Sequence, residues 1–333
     1  MLIRKNHYFD CFHCIADLCP DSCCKEWEVQ LDPKTAQYYR NLPGQLGERL
    51  RSVMAEDPMA GTVMVNENGR CPMWRQDGLC QIQAQLGEAA LCQVCREYPR
   101  LTHDYGNFIE LGLELSCPEA ARLILSSPSA PMVETILPGG SAAKYDEKAM
   151  SLLLQTRTEA IEILESPVYS VPEALILLLF YGHRVQALLD GEPVSDFSPQ
   201  ALLTQAPEWM LPPNPKAFLK FFSSLEILTD TWARRLTSPS TPTPWTQSYR
   251  KLARYGVERY WLQAVSDYDL VSRVKLTVIS CLLVRLLGGD FCSTAQTYSK
   301  EIENCAENMD ALLDAAYDRP EFSDRVLLGL LLS

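Results

Sequence analysis

Residues 11–32, CFHCIADLCPDSCCKEWEVQLD, decide how the N-terminal third of the chain folds. Five cysteines occur there with the spacing Cys11-x2-Cys14-x4-Cys19-x3-Cys23-Cys24. Such short spacings let one turn direct two sulfur atoms at a single point, and thiolates are strong ligands for zinc and for iron–sulfur clusters. The sequence therefore predicts a metal-binding segment that is organised by its thiolates rather than by regular structure. A second group of cysteines follows, at Cys71, Cys80, Cys92, Cys95 and Cys117.

The cysteines are concentrated at one end of the chain. Ten of the 13 lie between Cys11 and Cys117. Free cysteine is often an ordinary buried residue, but so dense a group indicates metal binding or redox chemistry in a reducing compartment. Cys281, Cys292 and Cys305 stand singly, and we expect them to be core thiols. The predicted ligands are Cys14, Cys19, Cys23, Cys24, Cys71, Cys80, Cys92, Cys95 and Cys117.

The spacing favours an iron–sulfur centre, with zinc as the alternative. Structural zinc sites prefer paired Cys-x2-Cys knuckles or added histidines, and the second group has one such knuckle, Cys92-x2-Cys95. Irregular spacings and the steps Cys71-Pro72 and Cys117-Pro118 are closer to iron–sulfur ligation. Nine thiols exceed the need of one four-ligand site, so either two centres form or some of the thiols do not ligate.

Composition narrows the class of partner and the compartment. The net charge of −12 argues against general binding of nucleic acid or of anionic membranes, because both require surfaces rich in Lys and Arg. The start of the chain has no apolar leader, and no apolar run reaches about 18 residues. We therefore expect a cytoplasmic protein with no nucleic-acid partner and no membrane partner.

The remaining pattern predicts a mainly α fold. We expect an irregular cysteine-rich metal-binding module at 1–125, a Pro-, Gly- and Ser-rich connector at 126–148, and an all-α helical bundle at 149–333 on which the module packs. Asp32-Pro33 is a good start for a short helix, because Asp caps and Pro suits the first turn. Helices are predicted at 33–40, 46–55, 150–165, 173–190, 216–236, 247–265, 268–287 and 295–317, with breaks at 190–215 and 237–244.

The cysteine motifs resemble those of a known family. Cys14-x4-Cys19-x3-Cys23-Cys24, followed by Trp27, Val29 and Leu31-Asp32, is similar to the opening of the FliB-type flagellin lysine-N-methylases, which belong to the wider CxxCxxCC cysteine-cluster group. The resemblance continues in order and covers most of the chain. It includes Gly69-Arg70-Cys71-Pro72, Gly78-Leu79-Cys80, Leu91-Cys92-x2-Cys95-Arg96-x-Tyr98-Pro99-Arg100, Leu115-Ser116-Cys117-Pro118-Glu119 and Tyr298-Ser299-Lys300-Glu301-Ile302-Glu303.

This resemblance implies an enzyme of the bacterial flagellum. It would be an S-adenosylmethionine-dependent protein lysine N-methyltransferase that acts on flagellin and contains a cysteine-ligated 4Fe-4S cluster. No G-x-G-x-x-G motif follows a strand pattern, so we expect S-adenosylmethionine to bind outside a Rossmann-type domain, between the cysteine module and the helices. The radical signature Cys-x3-Cys-x2-Cys is not met, because Cys19-x3-Cys23 is followed by Cys24 and not by a cysteine at 26.

Three residues beside the second cysteine group are the predicted cofactor-binding residues. Arg96 and Arg100 flank Tyr98-Pro99, close to Cys95, and can hydrogen-bond cluster sulfurs or hold a cofactor carboxylate. Glu119 is a possible carboxylate partner for these arginines, or favours a helix start after Pro118. No residue is singled out as the catalytic base.

Two other functions are compatible with the same cysteines. The chain can be a non-catalytic protein that binds an iron–sulfur cluster or zinc and docks a partner through its helices. Alternatively, it is a redox sensor in which the cluster or a spare thiol such as Cys11 responds to oxidation.

Overall fold

A computed structural model describes residues 1–25 and 29–333, so that Trp27 lies outside the described residues. The chain is mainly helical, as predicted, and the helices are concentrated after residue 146. The first helices are α1 (Pro33–Asn41), α2 (Gly44–Val53), α3 (Gln81–Leu86), α4 (Gln93–Glu97) and α5 (Pro118–Ser126). The others are α6 (Glu147–Glu165), α7 (Val171–Leu189), α8 (Pro199–Trp209), α9 (Pro215–Phe222), α10 (Asp230–Thr237), α11 (Gln247–Tyr260), α12 (Val271–Leu287), α13 (Phe291–Tyr298), α14 (Ala306–Asp318) and α15 (Asp324–Leu331).

Two small sheets in the N-terminal part were not predicted. The strands are β1 (Leu2–Lys5), β2 (Val29–Gln30), β3 (Met54–Asp57), β4 (Gly61–Met64), β5 (Arg100–Asp104), β6 (Phe108–Leu113) and β7 (Val133–Ile136). The first sheet has the strand order β5-β6-β1-β7, in which β1 and β6 are parallel and the other pairs antiparallel. The second sheet is antiparallel, with the order β2-β4-β3. The expected connector at 126–148 thus contributes β7.

A buried charge explains why the main strand was missed. Along β6, Phe108 and Leu113 are buried, but so is Glu110, which breaks the apolar alternation by which a half-buried strand is recognised. Glu110 accepts two hydrogen bonds from Arg157 of α6, at 2.6 and 2.8 Å, and both side chains are less than 10% exposed. The pair joins the first sheet to the helices.

Several predicted helices are interrupted. The segment 216–236 forms α9 and α10, because Thr229 caps a new helix by accepting from the Trp232 N–H at 3.1 Å. Before it, the Leu228 N–H donates to Glu301 at 2.8 Å, which holds that segment out of helical geometry. The predicted break at 190–215 contains α8, since Pro199 occupies its first position, where Pro is tolerated.

The helix predicted at 295–317 is also divided. A π-helical turn at Ser299–Glu303 separates α13 from α14, and the helix predicted at 247–265 becomes α11 followed by a 3-10 turn at Trp261–Val265. The Asp32-Pro33 prediction is confirmed, because Asp32 accepts from the Thr35 N–H at 2.9 Å and Pro33 begins α1.

Two apolar cores meet beside the cysteines. The larger core is built around α12, which is buried almost along its whole length and is approached closely by neighbouring helices. At Gly256 of α11, an added Cβ would lie 2.6 Å from Thr277 Oγ1 of α12. The smaller core packs α1 and α2 on the second sheet and includes Cys71 and Cys92. Among the described helices, none is both long and apolar enough to cross a membrane.

Replacing Glu110 with Ala leaves the Arg157 guanidinium buried without its carboxylate. We expect the free energy of unfolding to fall by about 3–5 kcal/mol, measured by urea denaturation. The control is Glu67→Ala, which breaks an exposed ion pair with Arg49 and is expected to cost about 1 kcal/mol or less. Equal losses in the two variants would contradict the structural role of the buried pair.

Candidate metal centre

A cavity of about 390 Å³ lies between the two cores and is walled by thiols. All nine predicted ligands line it, together with the predicted cofactor-binding residues Arg96, Tyr98 and Arg100. Cys11 is exposed and does not line the cavity. The structure therefore brings together cysteines that are up to about a hundred residues apart. The thiols are those of Cys14, Cys19, Cys23, Cys24, Cys71, Cys80, Cys92, Cys95 and Cys117.

Local backbone contacts bring the thiols of distant stretches together. The Cys71 N–H donates to the Cys24 carbonyl at 2.8 Å, which joins the first cysteine group to the second. Gly78, with a φ of 81°, closes the turn that brings Cys80 opposite Trp74. This positive φ is readily adopted only by residues such as glycine.

Helix starts orient three further thiols. Cys92 precedes α4 and Cys95 lies within its first turn, so that both sulfurs belong to one side of a short helix. Asp32 fixes this helix, because its carboxylate accepts from the Gln93 N–H at 2.9 Å. Cys117 precedes α5, directly before Pro118 at the first helical position. The motif spacings seen in the sequence thus correspond to helix starts.

Neighbouring thiols perturb one another strongly. Cys24 accepts hydrogen bonds from Cys23 and Cys71, which lower the pKa of Cys24 and raise those of both donors. Cys95 likewise donates to Cys92 and lowers the pKa of that thiol. Burial raises the pKa values of the Cys19 and Cys80 thiols, and it raises the pKa of Cys117 to about 11. Without a cation, most of these thiols therefore keep their protons.

The sulfur atoms are arranged around a cavity rather than around a single point. Tetrahedral zinc with Zn–S bonds of about 2.3 Å needs sulfurs about 3.8 Å apart. In the described part of the chain, only Glu226, Cys305 and Glu307 place three metal-binding atoms within 4.8 Å of one another. Among the described residues, no three cavity thiols meet this distance, and together the thiols surround a space in which a polynuclear centre can be held. All thirteen cysteines, each within a described segment, are free thiols.

The three predicted cofactor-binding residues form one wall of the cavity. Arg96 donates to the Leu91 carbonyl at 3.3 Å, and the Arg100 guanidinium lies 5.1 Å from the centre of the Phe12 ring. The Tyr98 hydroxyl is 3.1 Å from Ser116 Oγ. Their role with a cofactor stays a prediction. Of the two roles predicted for Glu119, the structure confirms the place in the first turn of a helix, that of α5, and not the pairing with these arginines. The Glu119 carboxylate instead accepts from Arg122 at 2.6 and 2.8 Å, one helical turn along α5.

An aspartate that the sequence did not single out ties the first cysteine group to the helices. Asp21, between Cys19 and Cys23, accepts from Lys300 Nζ at 3.1 Å and from Gln296 Nε2 at 3.0 Å. Lys300 lies in the π-helical turn, within the stretch Tyr298–Glu303 noted above for its resemblance. In the sequence, only this resemblance pointed to the importance of Lys300, and it did not predict the contact of Lys300 with the cysteine segment.

Known proteins share part of this sequence. The flagellar biosynthetic protein FliU of Salmonella muenchen is 32% identical over 132 residues, which cover 36% of this chain and 74% of that protein. The chain belongs to the FliU and lysine-N-methylase family. Lysine-N-methylases of Salmonella typhimurium and Salmonella choleraesuis are also 32% identical over 132 residues. The resemblance inferred from the cysteine motifs is thereby confirmed.

The extent of the match differs between these relatives. It covers only 31% of the length of the two lysine-N-methylases, and it covers the same 36% of this chain. No family model matches the chain, and no solved structure matches it.

Replacing Cys71 with Ala removes a thiol that contacts Cys24 inside the cavity. We expect the anaerobically purified variant to bind metal at least about 10-fold more weakly than the unmodified chain, measured by elemental analysis after dialysis against a chelator. The matched control is Cys281→Ala, which removes an equally buried thiol from the middle of α12. Metal retention that is equal in the two variants would exclude Cys71 as a ligand.

Proposed function

We propose that the chain is an S-adenosylmethionine-dependent protein lysine N-methyltransferase that acts on flagellin and holds a 4Fe-4S cluster in its thiol-lined cavity. The observation that carries this proposal is the combination of family membership with nine thiols around one cavity. FliU is named as a flagellar biosynthetic protein, and the two other relatives are named lysine-N-methylases. These names support a flagellar protein as substrate and a lysine side chain as methyl acceptor.

The cluster would be held by cysteines from both groups. A bound cluster would supply positive charge to the thiolates and a rigid link between the two cores. Cys24 is the best candidate for a first ligand, because it accepts hydrogen bonds from two neighbouring thiols, which lower its pKa and favour the thiolate. Cys14, Cys23 and Cys95 are exposed, so the centre would lie close to solvent and to an approaching protein substrate.

The reaction places clear demands on the remaining residues. Lysine methylation is a displacement at a sulfonium methyl group, and it needs a neutral amine, although the amine has a pKa of about 10.4 in water. Holding the donor methyl group in line with the acceptor nitrogen lowers the barrier further. Aromatic faces and carboxylates stabilise the sulfonium, whereas an arginine suits its carboxylate group. On the cavity wall, beside the thiols, Tyr98 supplies an aromatic face, and Arg96 and Arg100 supply guanidinium groups.

A non-catalytic role is the second candidate. Four cysteines of the first hundred residues, Cys11, Cys14, Cys23 and Cys95, are exposed, and this accessibility favours a thiol or a cluster that responds to oxidants. Such a protein would bind iron–sulfur or zinc and change its contacts with a partner, without transferring methyl groups. We expect both kinds of protein to work in the cytoplasm, where free thiols persist.

Calorimetric titration of the metal-loaded protein with S-adenosylmethionine separates the two functions. The methylase should bind this donor, with an affinity between about 1 μM and 1 mM, and transfer labelled methyl groups to lysines of flagellin. Mass spectrometry of the digested flagellin identifies the modified residues. The comparison protein is Cys24→Ala, which should lose transfer together with its metal.

Absence of both binding and transfer in a fully loaded preparation would refute the methylase. Reversible loss of the metal in air, accompanied by a change in partner binding, would instead favour the sensor.

A further inference from the structure

A second cavity lies on the opposite side of the wall formed by Tyr98, Pro99 and Arg100. It measures about 500 Å³, and these three residues line both this cavity and the thiol-lined one. Glu114, directly after β6, forms part of its lining and is fixed to the wall, because the Glu114 N–H donates to the Pro99 carbonyl at 2.8 Å. A carboxylate is thus held next to this wall, the partition that separates the second cavity from the thiol-lined cavity.

The Glu114 side chain is 17% exposed, and its orientation is set by hydrogen bonds. Ser116 Oγ donates to Glu114 Oε2 at 3.3 Å, and the Tyr98 hydroxyl lies 3.1 Å from the same Ser116 oxygen. Asn304 Nδ2 also donates to Ser116 Oγ, at 2.9 Å. The Ser116 hydroxyl thus accepts from Asn304 and donates to Glu114. The chain Tyr98–Ser116–Glu114 therefore connects the partition to the carboxylate.

The negative charge of Glu114 is only partly neutralised, because its neighbouring cation, Arg259, also pairs with a second carboxylate. Arg259 Nη2 is 3.6 Å from Glu114 Oε1, but Arg259 Nη1 is 3.1 Å from a second carboxylate, that of Glu303. Glu303 also accepts from the Tyr255 and Tyr260 hydroxyls, at 2.9 and 2.7 Å. Burial raises the pKa of Glu114, Arg259 opposes this effect, and Glu303 adds to it. Glu114 is consequently a stronger base than an ordinary glutamate.

The other groups that face the cavity are less suited to accept a proton. The Gln93 and Thr35 N–H groups lower the pKa of Asp32, whose carboxylate is already engaged in capping. Glu97 is exposed on α4 and accepts from Gln93 Nε2 at 3.0 Å. Arg100 is a cation and cannot act as a base at neutral pH. Glu114 is the carboxylate that combines a raised pKa with a place at the partition.

We propose that Glu114 is the general base that accepts the proton of the substrate lysine ammonium in this second cavity. The inference rests on the proposed methyltransferase function. In the step, the ammonium N–H bond breaks and its proton passes to a Glu114 carboxylate oxygen. The freed nitrogen lone pair then forms a bond to the sulfonium methyl carbon, and the carbon–sulfur electron pair returns to sulfur, which leaves as a neutral thioether.

The dependence of kcat/KM on pH, with S-adenosylmethionine and flagellin as substrates, tests this role. In the unmodified chain, kcat/KM should fall on the acid side through a pKa above the ordinary glutamate value of about 4.3, because protonated Glu114 cannot accept the proton. In Glu114→Gln, kcat/KM at pH 7 should be lower than in the unmodified chain by a factor of at least about 100. It should then rise about tenfold per pH unit towards the amine pKa of about 10.4. The deficit therefore narrows at high pH.

The matched control is Glu97→Gln, which removes one negative charge from the rim of the same cavity and should keep the acid limb of the profile. Metal content and calorimetric binding of S-adenosylmethionine are measured for each variant. If Glu114→Gln does not fold with its metal, the pH profile of Ser116→Ala tests the role of Glu114 instead. Loss of its hydroxyl removes a hydrogen bond to the carboxylate, so the acid limb should move to higher pH.

Three outcomes distinguish the two levels of inference. An unmodified, metal-loaded protein that transfers no methyl group at any pH overturns the proposed function. Transfer by the unmodified chain, with a pH profile that Glu114→Gln leaves unchanged in shape, overturns the role of Glu114 alone. A variant that keeps metal and donor binding but recovers kcat/KM only at high pH supports both.

Discussion

Nine thiols line one cavity, and the rest of the structure depends on how the negative charge of their thiolates is compensated. Ionisation of several neighbouring thiols in this partly buried space is unfavourable unless a cation compensates for it. Hydrogen bonds from Cys23 and Cys71 lower the pKa of Cys24, whereas the pKa values of both donors are raised. Arg96 and Arg100 are the cationic side chains that line the space. An inorganic centre would supply the missing positive charge and would fix the two cores against each other.

The same region is connected to the helices by buried polar contacts. Asp21 joins the first cysteine group to Lys300, and Glu303 of the same π-helical turn binds Arg259, which in turn faces Glu114. One turn of irregular helix therefore supports both cavities. Such turns are frequent at functional sites, because an inserted residue redirects side chains that a regular α-helix would place elsewhere.

Sequence patterns predicted some of these features well and others not at all. Helices such as α6, α7 and α12 have long apolar periodicity, and the nine cavity cysteines stand in compact motifs, so both were recognisable. The first sheet was missed because Glu110 occupies a core position of β6, where its partner Arg157 is distant in sequence. Glu114 and Asp21 were missed for a similar reason. Their importance comes from contacts with α11 and the π-helical turn, which no local spacing reveals.

Iron, zinc and acid-labile sulfide content of the full chain, purified under argon, tests the central claim most directly. The account predicts iron and sulfide in equal amounts, at least one cluster per chain, little zinc, and about four or more cavity thiols that do not react with a thiol reagent until the protein is unfolded. A folded protein without iron, zinc or sulfide, whose thiols all titrate freely, would contradict the account.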